Sequence, residues 1–459
     1  MNRDAIDFEN GKISRLFRKL FFPTLIGSLS IAAMTAIDGI FVGRGVGSDG
    51  VAAINIAAPI WMLFAGFGLM MGVGCSVVTA IHLSKKKIKV ARLNVSQALY
   101  FSMFVCAVIA VLIMTWPSET ARLLGTSDHL EPLVSSYLLG IMPGFVFNMW
   151  NVIGLFIIRL DGAPGVAMWC NAVGSIANIV LDWLFIIVLD WSTFGAAVAS
   201  TLAIIIAATI AIIYLTRFAH TLRPTTIKMS KKSILLSFRN ISYHCRIGSS
   251  SLLGEATLAV LILTGNRIFM SYLGDDGVGA FGIACYYTPF LFMVGNAIAQ
   301  SAQPIISFNY GIQRHDRVRQ TLHLLIITAF ICGILVTSAF TFFPQELVGL
   351  FLADLQSNAA LIAIDGFPIF SFGFTAFILN VAIVGYLQSV ERVAPATCFS
   401  LLRGLVFLIP CFILLPLVWD TTGIWLSVSV AEFMTLGVVF SYVMIRRFQA
   451  RRFAKMQQD

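Results

Sequence analysis

Ser28-Leu29-Ser30-Ile31-Ala32-Ala33-Met34-Thr35-Ala36-Ile37-Asp38-Gly39-Ile40-Phe41-Val42-Gly43 is an apolar run of small residues with one carboxylate set inside it. An ionised Asp in mid-membrane costs about 2.5–3.5 kcal/mol even on insertion scales. Such a residue persists when it faces a polar cavity, pairs with a cation or carries a proton. The stretch therefore predicts a membrane-spanning helix with a working carboxylate.

The rest of the chain agrees with a membrane setting. Its 459 residues are 58% hydrophobic and 12% charged, with a mean hydropathy of +0.88. A soluble domain carries about 25% charged residues. At about 20 apolar residues per span, twelve spans are expected, near 17–42, 52–81, 94–115, 133–157, 166–189, 194–216, 246–272, 278–306, 321–343, 359–386, 396–419 and 422–445. The expected fold class is an all-α polytopic membrane protein, with twelve transmembrane helices in two pseudo-symmetric six-helix lobes. No cleavable leader is evident, because the first apolar run follows a polar, charged start and continues as a span.

Lys and Arg set the orientation. One set of connections holds Arg3, Lys12, Arg15, Arg18, Lys19, Lys85, Lys86, Lys87, Lys89, Arg92 and Arg159. The same side continues with Arg217, Arg223, Lys228, Lys231, Lys232, Arg239, Arg314, Arg317, Arg319 and Arg392, and with Arg446, Arg447, Arg451, Arg452 and Lys455 in the tail. The opposite loops hold Arg44 and Arg122. An even span count with both termini cytoplasmic satisfies this bias. The net charge of +9 is thereby topological, and no nucleic-acid partner is expected.

An internal repeat divides the chain. Asp38-Gly-Ile-Phe-Val-Gly-Arg-Gly-Val-Gly-Ser-Asp-Gly-Val-Ala-Ala53 aligns with Asn266-Arg-Ile-Phe-Met-Ser-Tyr-Leu-Gly-Asp-Asp-Gly-Val-Gly-Ala280 across one gap. Gly140-Ile-Met-Pro143 pairs with Asp365-Gly-Phe-Pro368, and Ala163-Pro164 with Ala394-Pro395. A six-span unit re-enters with the same orientation, so the halves are expected to be related about the membrane normal. The expected organisation is an N-terminal lobe 1–216, a cytoplasmic linker 217–245, a C-terminal lobe 246–445 and a basic cytoplasmic tail 446–459. Two lobes across a midline cleft make a transporter architecture.

Asn178 and Asp182 stand four apart and point from one helix face, with Asn171 one heptad earlier. Amide and carboxylate oxygens on one stripe can hold a hard cation or share a proton with Asp38. Ser200 and Thr201 add hydroxyls on the next span, with the register between them open. The alternative for these amides and hydroxyls is interhelical hydrogen bonding. The second half has Glu255, Asn266, Arg267, Asp365, Arg403 and Glu432. Glu255 and Asp365 are second-lobe candidates for coupling, while Arg267 and Arg403, the two cations in clear span interiors, are equally well their buried counter-ions. Tyr137, Asn148, Asn151, Asn171, Asn266, Tyr286, Tyr287 and Gln303 are candidate donors lining a substrate cavity. Pro23, Pro143, Pro304, Pro368 and Pro410 are candidate bending points, and Gly66, Gly68, Gly72 and Gly74 candidate close helix contacts. Sixteen Met and thirty-eight Phe suit an adaptable pocket or a lipid-facing surface. The eight cysteines lie in apolar runs without a CxxC pair and read as small hydrophobes; no metal site and no cofactor is expected. No nucleophile–base spacing supports an enzyme, and no filter-like repeat supports a channel.

These stretches resemble the multidrug and toxic compound extrusion family over essentially the whole chain. The resemblance rests on Ile37-Asp38-Gly-Ile-Phe-Val-Gly43, Asn178-Ile-Val-Leu-Asp182, Gly195-Ala-Ala-Val-Ala-Ser200 and Gln303-Pro-Ile-Ile-Ser-Phe-Asn-Tyr-Gly311 before a basic loop. The aspartates are similar to those of its DNA-damage-inducible-F-like bacterial and archaeal branch. What the resemblance implies is an H+- or Na+-coupled antiporter in the cytoplasmic membrane. It would export small organic, cationic compounds, with the lipid bilayer as its other partner and a monomer as the expected state. The implied coupling site falls on Asp38, Asn178 and Asp182, with Tyr137 nearby and Pro23 bending the first helix; Ser200 stands where the family often has Thr. Another branch places its cation group where Glu255 and Asp365 look similar. The rival reading is a flippase for lipid-linked saccharide or lipid, which calls for a more cationic central cavity.

Overall fold

The structure is a computed structural model and describes residues 6–227, 230–352 and 354–456; the side chains of Ser48, Lys232, Asp275 and 446–456 are not described. Arg3, Lys228 and the last three residues of the basic tail therefore lie outside the described residues. The described chain is helical, without strands. Among the described residues eleven helices are long and apolar enough to cross a membrane, or twelve if one bent pair is counted as a single span. They are α1 Ile13–Gly45, α2 Asp49–Ser84, α3 Ile88–Thr115, α4 Glu131–Leu160, α5 Pro164–Val188 and α6 Ser192–Phe218. After the connection come α7 Ser233–Gly274, α8 Asp276–Gly311 and α9 His315–Phe342. The bent pair α10 joins Asn358–Ser371 to Phe374–Ser389 at 51°, and α11 Val393–Leu414 and α12 Pro416–Ile445 complete the set.

Local sequence explains where these helices start and stop. Proline occupies the first turn of the short helices Pro117–Leu123 and Pro344–Gly349, and of α4 and α5. Its missing N–H is an unbonded position there anyway. The helix that becomes α7 begins inside the stretch read from sequence as linker. Ser230 caps it, its hydroxyl accepting from the Ser233 N–H at 3.2 Å, and Ile234, Leu235 and Phe238 carry the pattern into the span. Pro23 and Pro143 sit within continuous α1 and α4. The sharp bend falls just beyond Pro368, at residues 372 and 373.

The repeat is written into the backbone. Left-handed φ recurs at Gly47 and Gly274 (+88° and +63°), Lys86 and Gln313 (+59° and +61°), Gly162 and Glu391 (+93° and +57°), and Asp190 and Asp420 (+54° and +45°). Members of each pair stand 227 to 230 residues apart. Gly47 and Gly274 are the very glycines aligned by sequence, and their ψ values of −165° and −153° agree. That region of backbone space is nearly exclusive to glycine. Gly47→Ala and Gly274→Ala are each expected to destabilise the folded chain by about 1–3 kcal/mol, read as a lower melting temperature in detergent.

The chain falls into two compact units by contact, residues 1–256 with 297–325 and 385–393, and residues 257–296 with 326–384 and 394–459. In the first, α4 is the central helix, packed by α2, α3 and α6. Phe64 and Phe145 stack there at 4.5 Å over Leu138, Met142 and Met149. The later pieces of this unit are fastened by named contacts. Arg317 donates to the carbonyls of Phe8 and Gly11, Asn309 donates to Phe8, and Gln388 donates to Ser250 and Ser251. A Cβ on Gly74 would run into the His244 carbonyl, and one on Gly248 into the Met70 carbonyl, so α2 and α7 cross there backbone to backbone. The second unit has an aromatic core of Phe269, Phe281, Phe367, Phe370 and Phe374 around Trp425, against which Gly366 allows close approach.

Two buried polar devices hold the frame. The carboxylate of Asp161, between α4 and α5, accepts from the Tyr214 hydroxyl at 3.0 Å and from the N–H groups of His220, Thr221 and Leu222 at 2.7, 2.9 and 3.0 Å. This pins the start of the connection after α6. Asp161→Ala strands those donors, and a stranded buried donor costs about 1–3 kcal/mol; a marked loss of thermal stability is expected, partly restored by Asn. In the second unit, Arg403 meets Glu432 Oε1 through Nε and Nη2 at 3.0 and 2.7 Å, with Phe377 beneath the guanidinium at 4.2 Å. Asn380 Nδ2 donates to Glu432 Oε2 at 2.7 Å. Arg403 thus pairs with Glu432, and not with Glu255 or Asp365.

Candidate functional site

α1 and α5 run side by side in parallel, and their register brings the two aspartates together. A Cβ on Gly27 would lie 3.4 Å from Met168 Cα and 3.2 Å from Asn171 Nδ2, while Gly45 backs onto Ile186 and Ile187. Between these points the carboxyl groups of Asp38 and Asp182 come within side-chain hydrogen-bonding contact. Asp182 and Asn178 are fully buried. Asn178 Nδ2 reaches both Asp182 Oδ1 and, on α6, Ser200 Oγ, each at 3.4 Å. Asp38 Oδ1, Asp182 Oδ2 and Asn178 Oδ1 are buried without a protein partner. Among the described residues neither carboxylate is ion-paired.

Two ionised carboxylates in contact repel by about 4 kcal/mol at 4 Å with an effective dielectric of 20. Neither can donate to the other. The contact is favourable only with a cation, H+ or a small metal ion, shared between them. Asp182 also ends the regular helix: a π-helical turn, Trp183–Val188, follows it directly. Such turns often mark functional positions, and composition gives no sign of this one.

The other candidate residues divide. Tyr137 on α4 is buried and lies in the field of both carboxylates. Asn148 and Asn151 share its helix face and are buried, and Asn151 Oδ1 has no partner. Ser200 is the hydroxyl turned to Asn178, whereas Thr201 Oγ1 donates to the Gly140 carbonyl at 2.7 Å and packs α6 against α4 at Gly144. Asn171 is buried against Gly27, and Pro23 lies one residue before the buried Thr24.

Glu255 is half-buried beside Gly66 of α2, in the first unit. Asp365, in the second unit, is exposed, as is Arg267, and Asn266 is half-buried. Tyr287 donates to the Leu347 carbonyl at 2.9 Å within a cluster of Phe340, Phe351 and Phe367; Tyr286 is exposed and stacks on Phe351 at 5.2 Å. Gln303 is buried with its Nε2 unpartnered. Sequence reasoning missed Arg159 as a buried cation. Assigned to a basic connection, it is 4% exposed in the last turn of α4 and donates to Gln300 at 2.8 Å. It also passed over Asp161 and Asn380. Asn380 had a signal, an amide alone in an apolar span. Among the described residues no His, Cys, Asp and Glu cluster could hold a structural metal.

Fold and composition define a multi-pass, all-helical membrane protein. The chain belongs to the MATE multidrug efflux transporter family, a family of transporters and not enzymes: the MatE family model matches residues 23–184 and 255–413. The multidrug export protein MepA of Staphylococcus aureus (strain MRSA252) is 23% identical over 428 residues, 93% of this chain and 92% of MepA. An outward-facing multidrug resistance MATE family transporter of the MOP superfamily superposes with a TM-score of 0.88 at 19% identity, over 96% of this chain and 98% of that one. A MOP superfamily transporter from Pyrococcus furiosus Vc1 (DSM3638) superposes at 0.87 with 20% identity and the same coverage.

Proposed function

We propose that the chain is a cation-coupled antiporter of the DNA-damage-inducible-F-like branch. It exports small organic, cationic compounds in exchange for H+ or Na+ by alternating access between two six-helix lobes. The observation that carries this reading is the contact between two carboxyl groups with no ion-pair partner among the described residues. Asp38 and Asp182 hold the coupling cation, Asn178 and Ser200 orient the acceptor oxygens, and Tyr137 closes the site. With the cation bound, the charge of the pair is neutralised and one conformation is favoured. Substrate binding favours the conformation in which the cation leaves. A ligand shifts such an equilibrium only by its differential affinity for the two states, and a site whose charge must be neutralised supplies that difference. The two matched family segments, one in each half, and the recurring left-handed positions support the two-lobe organisation.

The MepA relatives are multidrug exporters by name, which supports small organic substrates, a bacterial or archaeal cytoplasmic membrane and, with the Lys/Arg bias, cytoplasmic termini. Arg403 is spent on Glu432, which leaves it unavailable to an anionic lipid headgroup; the buried Arg159, which donates to the neutral Gln300, is the cation on which a flippase reading would have to rest. The test is reconstitution into liposomes. Ethidium extrusion driven by an imposed pH or Na+ gradient is expected, identifying the ion by which gradient drives it. Gradient-independent scrambling of a lipid-linked saccharide, with no driven extrusion, would overturn the reading.

A further inference from the structure

The oxygens without partners are not confined to the carboxylate pair. On α5 the side chains of Asn171, Ser175, Asn178 and Asp182 follow one another at spacings of four, three and four residues, which keeps them on one face. All four are 5% exposed or less. Each presents a buried oxygen with no protein partner: Asn171 Oδ1, Ser175 Oγ, Asn178 Oδ1 and Asp182 Oδ2. On α1, Thr24 is 2% exposed, and its Oγ1 is likewise unpartnered. The register is common to both helices. Gly27 faces Asn171 and Asp38 faces Asp182, eleven residues on along each helix. At 1.5 Å per residue the line from Asn171 to Asp182 is about 16 Å long.

Apolar side chains would pack this seam more cheaply. Each unsatisfied buried polar group costs about 1–3 kcal/mol, whereas water bound between successive groups satisfies them. Side chains three or four residues apart on one helix face are neighbours, with Cβ atoms about 5–6 Å apart, so a water or cation bound to one of these oxygens lies close to the next. Oxygen ligands in file are also what a hard cation accepts. The seam leads from the acidic pair toward the start of α1, whose first turns carry Arg15, Arg18 and Lys19.

We propose that the α1–α5 seam of Thr24, Asn171, Ser175 and Asn178 is the passage by which the coupling cation travels between the Asp38/Asp182 pair and the membrane face at the N-terminal end of α1. The passage lies inside one lobe, so cation and organic substrate need not share an exit. Asn171 and Ser175 are positioning residues for the cation. The inference rests on the antiport reading above.

The test is Asn171→Leu with Ser175→Ala in proteoliposomes. Ethidium antiport driven by an imposed pH or Na+ gradient should fall at least fivefold. Counterflow of labelled substrate, which needs no cation to cross, should stay within twofold of the parent in Ser175→Ala alone, which leaves the candidate cavity donors in place. Asn171→Gln should recover most of the driven rate. Ser175→Ala alone, which removes one hydroxyl, should slow driven antiport and spare counterflow, and carries the question if the double variant is not recovered in the membrane. Unchanged driven antiport in Ser175→Ala and the double variant overturns the passage, as does an equal fall in driven antiport and counterflow in Ser175→Ala. Asp38→Asn run in parallel separates the two readings: its failure to lower driven antiport defeats the antiport reading itself, whereas its loss beside an unaffected double variant defeats only the passage.

Discussion

Asp38→Asn is expected to reduce gradient-driven ethidium efflux to the level of empty liposomes, with membrane expression and melting temperature close to the parent. The amide keeps the size of the side chain and part of its hydrogen bonding to Asp182, so the helices α1 and α5 have no steric reason to part. What it removes is one of two negative charges. The repulsion of about 4 kcal/mol that a shared cation relieves disappears, and with it the energetic link between cation occupancy and conformation. Asp182→Asn should do the same. Asn178→Ala should lower the driven rate less, because it removes an orienting amide and leaves both charges in place. Thr201→Val, which affects a bond to the Gly140 carbonyl at 2.7 Å, should lower stability more than coupling. Driven efflux by Asp38→Asn at the parent rate would remove the first-lobe site and return attention to Glu255, whose half-buried carboxylate beside Gly66 is the next candidate.

The second large effect concerns folding. Glu432→Gln or Arg403→Leu leaves one half of a buried, hydrogen-bonded ion pair without its counter-charge, which typically costs about 3–5 kcal/mol. The Arg403 case also takes the guanidinium off Phe377, and the Glu432 case changes the acceptor of the Asn380 amide. Each single variant should show a large drop in melting temperature and poor recovery from the membrane. The double replacement Arg403→Met with Glu432→Leu should regain most of the loss, since a well-packed apolar pair substitutes for a buried salt bridge at little or no cost. A double variant as unstable as the worse single one would mean that Arg403 or Glu432 serves another partner. Measured efflux per folded molecule should be nearly unchanged in the double variant if the pair is purely structural.

What the sequence made legible follows from where information about a membrane helix resides. Asp38, Asn178 and Asp182 could be read because a carboxylate in an apolar run is costly wherever it points, and because i and i+4 share a face irrespective of the neighbours. The repeat could be read for a related reason: Gly47 and Gly274 occupy a backbone conformation that other residues avoid, so the glycines stay visible in the text of the chain. Helix rotation was not legible. Spans that are apolar all round carry no stripe to say which side meets a neighbour. Hence Ser200 and Thr201 could not be told apart until the helix was placed, and Arg403 could not be matched to Glu432, twenty-nine residues away. Arg159 was hidden by its position in a basic stretch, where charge implies a surface, although its guanidinium turns inward to Gln300. Asp161 was hidden for the opposite reason, since a short loop gives no warning that it fastens a segment some sixty residues further on.

The proposed antiport requires competition between substrate and cation through the Asp38/Asp182 pair. It is tested most directly by titrating the purified, detergent-solubilised chain with ethidium in weakly buffered solution and counting the cation displaced, H+ by an indicator dye and Na+ by radiotracer. Saturable release of one of these ions is expected from the parent and none from Asp38→Asn. Binding of ethidium without release of either ion, or equal release from the parent and Asp38→Asn, would contradict it.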